Sequence, residues 1–214
     1  MSTGDDTRQR IEHAALELFL VRGYVGTPVR VIAEEAQVTT PALYWHYKSK
    51  DELCASILTR VYREFDELLR VAVKDGSPEE QLRAYVEASV SLNLKGRSRS
   101  ARVGFDQLVA SLPAASRAEL AELQRPLLNL LRDILREGDA LGVFRVLDPT
   151  ITALAIISMA NYAFTWYRTA ASATVAEIAA SYAEFAMRLA RGQVNEASAE
   201  GAELPAGAVF PHLG

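Results

Sequence analysis

The stretch Pro28–Lys50, PVRVIAEEAQVTTPALYWHYKSK, decides the fold. It reads as two short helices joined by a tight turn. Val29, Ile32 and Ala33 fall at i, i+3 and i+4, which gives the first helix one apolar face. Pro28 suits a first helical position, where a missing N–H costs nothing, and Thr27 before it is a candidate cap. Ala36-Gln37-Val38 makes the turn, with Val38 free to plug back into the core. Thr39 or Thr40 caps the second helix, Pro41 sits in its first turn, and Leu43 points inward. Thr40, Pro41, Ala42, Tyr44 and His46 face outward, with Lys48 and Lys50 just beyond. Hydroxyls, an imidazole and two amines are groups that bond phosphates and base edges. A helix-turn-helix lays such a second helix in the major groove.

The pattern around this stretch resembles the N-terminal domain of the tetracycline-repressor (TetR) family of transcriptional regulators. The matching positions are Arg10-Ile11, Ala14-Ala15, Leu18-Phe19, Gly23-Tyr24, Val29, Ile32-Ala33, Val38, Leu43-Tyr44, Lys50 and Leu53. They cover about one quarter of the chain at many fixed spacings. Gln37 and Pro41 depart from the family, which places glycine, or a small residue, at these points. Gln37 must then adopt the turn geometry without glycine's freedom. The resemblance implies that Thr40, Pro41, Ala42, Tyr44 and His46 face base edges or sugars. It also implies that Thr27, Arg30 and Lys50 lie near phosphates or groove rims. Trp45 either packs under the head or joins the DNA-facing set with Thr39 and Lys48.

Net charge over the 214 residues is −4, which excludes sequence-independent coating of DNA. Between Arg22 and Lys50, four basic residues stand against Glu34 and Glu35, a local excess that suits a small, specific footprint. Cys54 is the only cysteine, so no internal disulfide forms. The polar start MSTGDDTRQR carries no secretory signal. The uncharged run Pro149–Tyr167 is borderline for a membrane span, but its Thr, Ser and Asn content favours a buried bundle helix. A cytoplasmic protein is expected.

Almost every segment has a helical period, and no alternating strand pattern stands out, so the expected fold is all-α. Helices are expected at about 7–22, through the two elements above, and from Ser49 to about 73. Further helices are expected from Ser77 to about 94, from about 100 to 111, from Ser116 to Gly138, from Asp148 to Tyr167, and from Thr174 to Gly192. Ser49/Glu52, Ser77/Glu80, Ser116/Glu119 and Thr174/Glu177 are the capping signals. The expected division is a DNA-binding domain at 7–67, a helical effector-binding and dimerisation domain at 68–192, and a disordered tail at 193–214. The resemblance implies a homodimer through the helices near 149–168 and 174–191. Their apolar surface includes Ile151, Leu154, Ile157, Ile178, Tyr182 and Phe185, more than one face of a monomer buries.

Aromatics of the second region, among them Tyr62, Phe65, Tyr85, Phe105, Phe144, Tyr162 and Trp166, are either plain core or the walls of an apolar pocket. Asn93, Asn161, Thr165 and Arg168 are the polar residues placed to orient a ligand there. Met159-Ala160-Asn161-Tyr162 and Trp166-Tyr167-Arg168, with Gly142-Val143-Phe144 and Asp148-Pro149, resemble a pattern in family members that answer to acyl-coenzyme A esters. Thr169-Ala170-Ala171-Ser172 then departs from it. Lys95, Arg97, Arg99 and Arg102 form either a solvated basic loop or a clamp for the coenzyme's phosphates. No G-x-S-x-G elbow, phosphate-binding glycine loop or H-E-x-x-H pair is present, and His13, His46 and His212 are scattered. No enzyme, metal or cofactor is therefore expected. The partners expected are double-stranded operator DNA, a second copy of the chain, and a small lipophilic effector, an acyl-coenzyme A among the candidates. A helical ligand-binding or scaffold protein without operator reading is the alternative.

Overall fold

The computed structural model describes residues 3–95, 108–163, 166–167 and 173–192. The expected tail at 193–214, the loop residues Arg97, Arg99 and Arg102, and Phe105, Thr165 and Arg168 lie outside the described residues. Within them the fold is all-α, without a strand.

Helix α1, Thr3–Arg22, buries Ile11, Ala14, Ala15, Leu18 and Phe19 along one stripe. It stops at Gly23, whose φ of 73° suits a residue without a Cβ. Helix α2, Val29–Glu35, has Pro28 at its cap position and no side-chain cap. Thr27 does not cap it, contrary to expectation. Its side chain is fully buried and its hydroxyl donates to the Gly23 carbonyl at 2.8 Å. Beyond α2, Gln37 stands at φ 56°, the one non-glycine with positive φ among the described residues. The Val38 N–H reaches the Ala33 carbonyl at 2.9 Å, and the Gln37 N–H reaches Glu34 at 3.1 Å. These two bonds define a Schellman turn with glutamine where glycine is usual.

Helix α3 runs Thr40–His46, and Thr39 rather than Thr40 caps it, its hydroxyl accepting from the Ala42 N–H at 3.3 Å. Helix α4, Lys50–Ala72, is capped by Ser49. Glu52 completes that cap one residue early, bonding the Lys48 N–H at 2.7 Å. Helix α5, Pro78–Lys95, opens with the reciprocal Ser77/Glu80 box. A helical turn at 108–111 precedes α6, Ala114–Ala140. Ser116 therefore lies inside α6 and caps nothing. Pro113 stands at the cap position of this helix, with no side-chain cap, and ends the turn before it. Helix α7, Pro149–Tyr162, is capped by Asp148 at 2.7 and 2.9 Å and stops short of the expected Tyr167. Helix α8, Val175–Ala190, carries the full Thr174/Glu177 capping box. No described helix is long and apolar enough to cross a membrane.

Two apolar cores result. The head core joins α1, α2, α3 and the first half of α4 through Ile11, Phe19, Ile32, Leu43, Leu53 and Ile57. It also takes in Leu108, Leu112 and Leu120 from much later in the chain. The body core runs from Leu69 of α4 through α5, the second half of α6, α7 and α8. Helix α4 is thus shared. Phe144 is core, its ring lying where a Cβ on Gly138 would stand, 2.0 Å away. Ile178 and Tyr182 are also buried within the single chain, so they do not belong to an outer face. The apolar side chains left outside on α7 and α8 include Ile151, Leu154, Phe185 and Leu189.

Candidate DNA-binding face and effector cavity

Leu43 anchors α3 to the head core and so fixes which side chains face out. Tyr44 is 48% and Trp45 81% exposed, so Trp45 does not pack under the head. The Trp45 ring meets His46 edge-on with centroids 4.8 Å apart. Thr39, Pro41 and Lys48 are exposed, and Thr40, Ala42 and His46 are partly so. A seven-residue helix therefore presents two aromatics, an imidazole and a hydroxyl on one surface, with an amine beside it. Arg30 is exposed on α2 and ion-paired to Glu34. Thr27, being buried, is not part of this face.

Lys50 has another task than the one expected. Its ammonium donates to the carbonyls of Tyr24 at 2.8 Å and Thr27 at 3.1 Å, and lies 4.2 Å from the centre of the Tyr24 ring. The Tyr24 hydroxyl in turn bonds the Asp51 carboxylate. Burial first, then that carboxylate, push the Tyr24 phenol well above its ordinary range. Lys50, Tyr24 and Asp51 together tie the α1–α2 loop to the start of α4.

Behind the face lies a polar cluster that the motif reading missed. Glu12 of α1 is the only charged side chain buried among the described residues. It accepts from the Tyr47 hydroxyl at 2.7 Å, the Ser56 hydroxyl at 2.8 Å and Arg60 Nε at 2.9 Å. Burial alone raises its pKa. The bonds from Tyr47, Ser56 and Arg60 outweigh burial and hold the carboxyl below the usual carboxylate range. Tyr47 is pushed up to about 12 by burial and by its bond to Glu12. The sequence does carry a signal for this site: Glu12 stands three residues before Ala15 and seven before Phe19, on the edge of the buried stripe.

In the body, a cavity of about 350 Å³ opens between α4, α5, α6 and α7. Tyr62, Phe65, Tyr85 and Asn161 line it, as expected. Asn93 does not. It is buried behind the wall and donates to the Ala160 carbonyl at 3.3 Å and to Asn161 Oδ1 at 3.2 Å, so it holds Asn161 in place. Tyr162 is largely exposed and faces away from the cavity. Trp166 stacks on Tyr182 and donates to its hydroxyl at 3.0 Å, again outside the lining. Sequence reasoning missed Ser89, Gln124 and Arg125 in the wall. The last two lie in a leucine-rich helix whose polar positions read as ordinary solvent face. Gln124 donates to the Tyr62 hydroxyl at 2.7 Å, joining α6 to α4.

A helix-turn-helix head joined by one shared helix to a helical body with a cavity is the architecture of a ligand-responsive DNA-binding regulator. Residues 11–57 match the family model described as bacterial regulatory proteins, tetR family, and residues 75–190 match the tetracyclin repressor-like C-terminal domain. The HTH-type transcriptional repressor KstR2 of Rhodococcus jostii is 30% identical over 179 residues, covering 82% of this chain and 86% of that protein. A tetR-family regulatory protein from Rhodococcus RHA1, solved by crystallography, superposes with a TM-score of 0.78 at 27% identity, covering 89% of this chain and 98% of that one. AibR, solved in complex with isovaleryl coenzyme A and operator DNA, shares the fold at 22% identity and a TM-score of 0.71, covering 86% and 98% of the two chains. The chain belongs to the TetR family of DNA-binding transcriptional regulators, whose members matched here are regulators and not enzymes.

Proposed function

We propose that the chain is a repressor that docks as a dimer on a pseudo-palindromic operator and leaves it when a small lipophilic effector fills the body cavity. One observation carries this reading. Tyr62 lines the cavity, accepts the Gln124 hydrogen bond across α4 and α6, and packs against the head core. A ligand that displaces Tyr62 thus acts on the helix that carries the head. Two half-sites on one face of DNA lie about 34–36 Å apart, so a small change in the angle of each head spoils simultaneous docking. The ligand needs only to favour the non-docking conformation by a few kcal/mol.

The second copy seats on α7 and α8, where Ile151 is 66% exposed and Leu154, Phe185 and Leu189 are 48–49% exposed. A two-fold axis buries that patch twice. An acyl-coenzyme A is the effector class best supported. The cavity is at the lower end of the roughly 300–1,000 Å³ usual for ligand pockets, enough for an acyl chain but not for a coenzyme. Arg125 at its wall offers a cation to an anionic head group outside. AibR bound to isovaleryl coenzyme A supplies the precedent within the fold.

The test uses duplexes that the protein itself retains from genomic fragments. Isovaleryl and stearoyl coenzyme A are expected to release them at micromolar concentration and to raise the melting temperature of the protein. Release by hydrophobic cations alone overturns the effector class. Retention of no duplex overturns operator reading and leaves a helical ligand-binding protein.

A further inference from the structure

The cluster around Glu12 closes on itself. Arg8 Nε donates to the Tyr47 hydroxyl at 3.0 Å, and Arg8 Nη2 donates to the Ser56 hydroxyl at 3.1 Å. Both hydroxyls donate in turn to the same Glu12 oxygen, Oε1, at 2.7 and 2.8 Å. Arg60 takes the other carboxylate oxygen at 2.9 Å. Each hydroxyl has one O–H to donate, and each donates it to Glu12, so the ring of bonds has a single sense.

Its members come from two helices and from the residue that ends a third. Arg8 and Glu12 are one turn apart on α1, and Ser56 and Arg60 one turn apart on α4. Tyr47 is the first residue beyond the recognition helix and caps its end, its N–H bonded to the Leu43 carbonyl at 3.0 Å. Tyr47 cannot shift without shifting α3. Apolar burial is non-directional, whereas hydrogen bonds are directional and lose strength steeply when bent. Glu12 and Tyr47 are buried while Arg8 and Arg60 are partly exposed, so the ring adds little net stability, but the buried pair tolerates only a fully satisfied arrangement.

We propose that the ring of Arg8, Tyr47, Glu12 and Ser56, backed by Arg60, fixes the angle of the recognition helix against α4 and thereby selects the half-site spacing on which the dimer docks. Glu12 and Tyr47 act as positioning residues and touch no DNA. The inference rests on the dimeric operator reading above. With the ring intact, each head points at one fixed distance from its partner, and an operator with one base pair more or less is displaced by about 3.4 Å along the axis and turned by about a tenth of a helical turn. With the ring open, the heads swing and several spacings serve.

The experiment starts with duplexes that the wild-type protein recovers from a random-sequence pool. The recovered half-sites are then rebuilt at the preferred spacing and at one base pair longer and shorter. Wild type is expected to lose about tenfold in affinity on either change, the scale of a lost specific contact. Tyr47→Phe and Ser56→Ala, each removing one hydroxyl, are expected to keep a wild-type-like melting profile while the penalty falls to under about threefold. Glu12→Gln opens the ring most fully and is expected to level the three spacings. If Tyr47→Phe and Ser56→Ala keep the wild-type penalty, or lose affinity equally at every spacing, the ring is merely structural and the inference is overturned. If wild type recovers no duplex, operator reading falls and the inference falls with it.

Discussion

The head and the body are both helical, but they assemble their working surfaces in opposite ways. The head presents its proposed reading groups from one seven-residue helix, contiguous in sequence and oriented by Leu43 within it and Tyr47 at its end. The body builds its cavity from side chains on four helices, separated by as much as a hundred residues, from Val61 to Asn161. Orientation on a single helix follows from a 3.6-residue period. Concavity depends on how helices cross, and no local period records that. A convex element is therefore readable residue by residue, while the hollow is read only in part, through Tyr62, Phe65, Tyr85 and Asn161 but not Ser89, Gln124 or Arg125.

The sharpest way to break the contrast is to separate two heads while leaving each intact. Phe185→Glu places a charge on the exposed patch of α8 without entering the core. It is expected to yield folded monomers in sedimentation at micromolar concentration, and to cost about 10²- to 10⁴-fold in operator affinity, the avidity lost when two binding modules are unlinked. A dimer of unchanged affinity would show that the pairing surface lies elsewhere.

Within one head, Tyr44→Ala is expected to weaken operator binding by about 1–3 kcal/mol, the scale of a base contact, with no change in melting temperature. An unchanged affinity in a gel shift would remove Tyr44 from the reading surface. Tyr62→Phe probes the body's link to the head. It breaks the Gln124 bond, worth about 0.5–1.5 kcal/mol. The ratio of operator affinities without and with saturating isovaleryl coenzyme A is expected to shrink several-fold, on the order of that bond, while the acyl ester still binds by calorimetry. A ratio equal to that of wild type would mean the signal travels by another contact.

The smallest effect separates two lysines only two residues apart. Lys48→Ala is expected to flatten the dependence of log affinity on log salt by about one unit, as loss of one phosphate contact does. Lys50→Ala, by contrast, is expected to leave the salt slope alone and to lower the melting temperature, because its ammonium is engaged with the Tyr24 and Thr27 carbonyls. Equal salt slopes for wild type and Lys48→Ala would place Lys48 off the DNA.

Particular residues show where legibility ended. Tyr44, His46 and the caps at Ser49, Ser77 and Thr174 were readable because each depends on neighbours within four positions. The strain at Gln37 was legible only through the family resemblance, which places glycine there; the structure has Gln37 at φ 56°. Thr27 was misread because a threonine before a proline has the form of a cap, while its burial is decided by a distant stripe on α1. Asn93 was recognised as important but misplaced by one layer: it orients Asn161 instead of meeting the cavity. Ile178 and Tyr182 share the one apolar stripe of α8, and period alone cannot tell whether such a stripe meets its own chain or a second copy.

The three leucines that enter the head core from beyond residue 100 bear on how such regulators can be taken apart. Leu108, Leu112 and Leu120 are all but fully buried there. Burying one leucine contributes about 1.5–3 kcal/mol, so the three together approach the lower end of a whole domain's stability of about 5–15 kcal/mol. A fragment severed after residue 67 would leave its own keystone behind and expose a wet hollow in place of that contact. Transplanting this reading head onto a foreign sensor would therefore require a graft in two pieces, with the second supplied from residues 108–120.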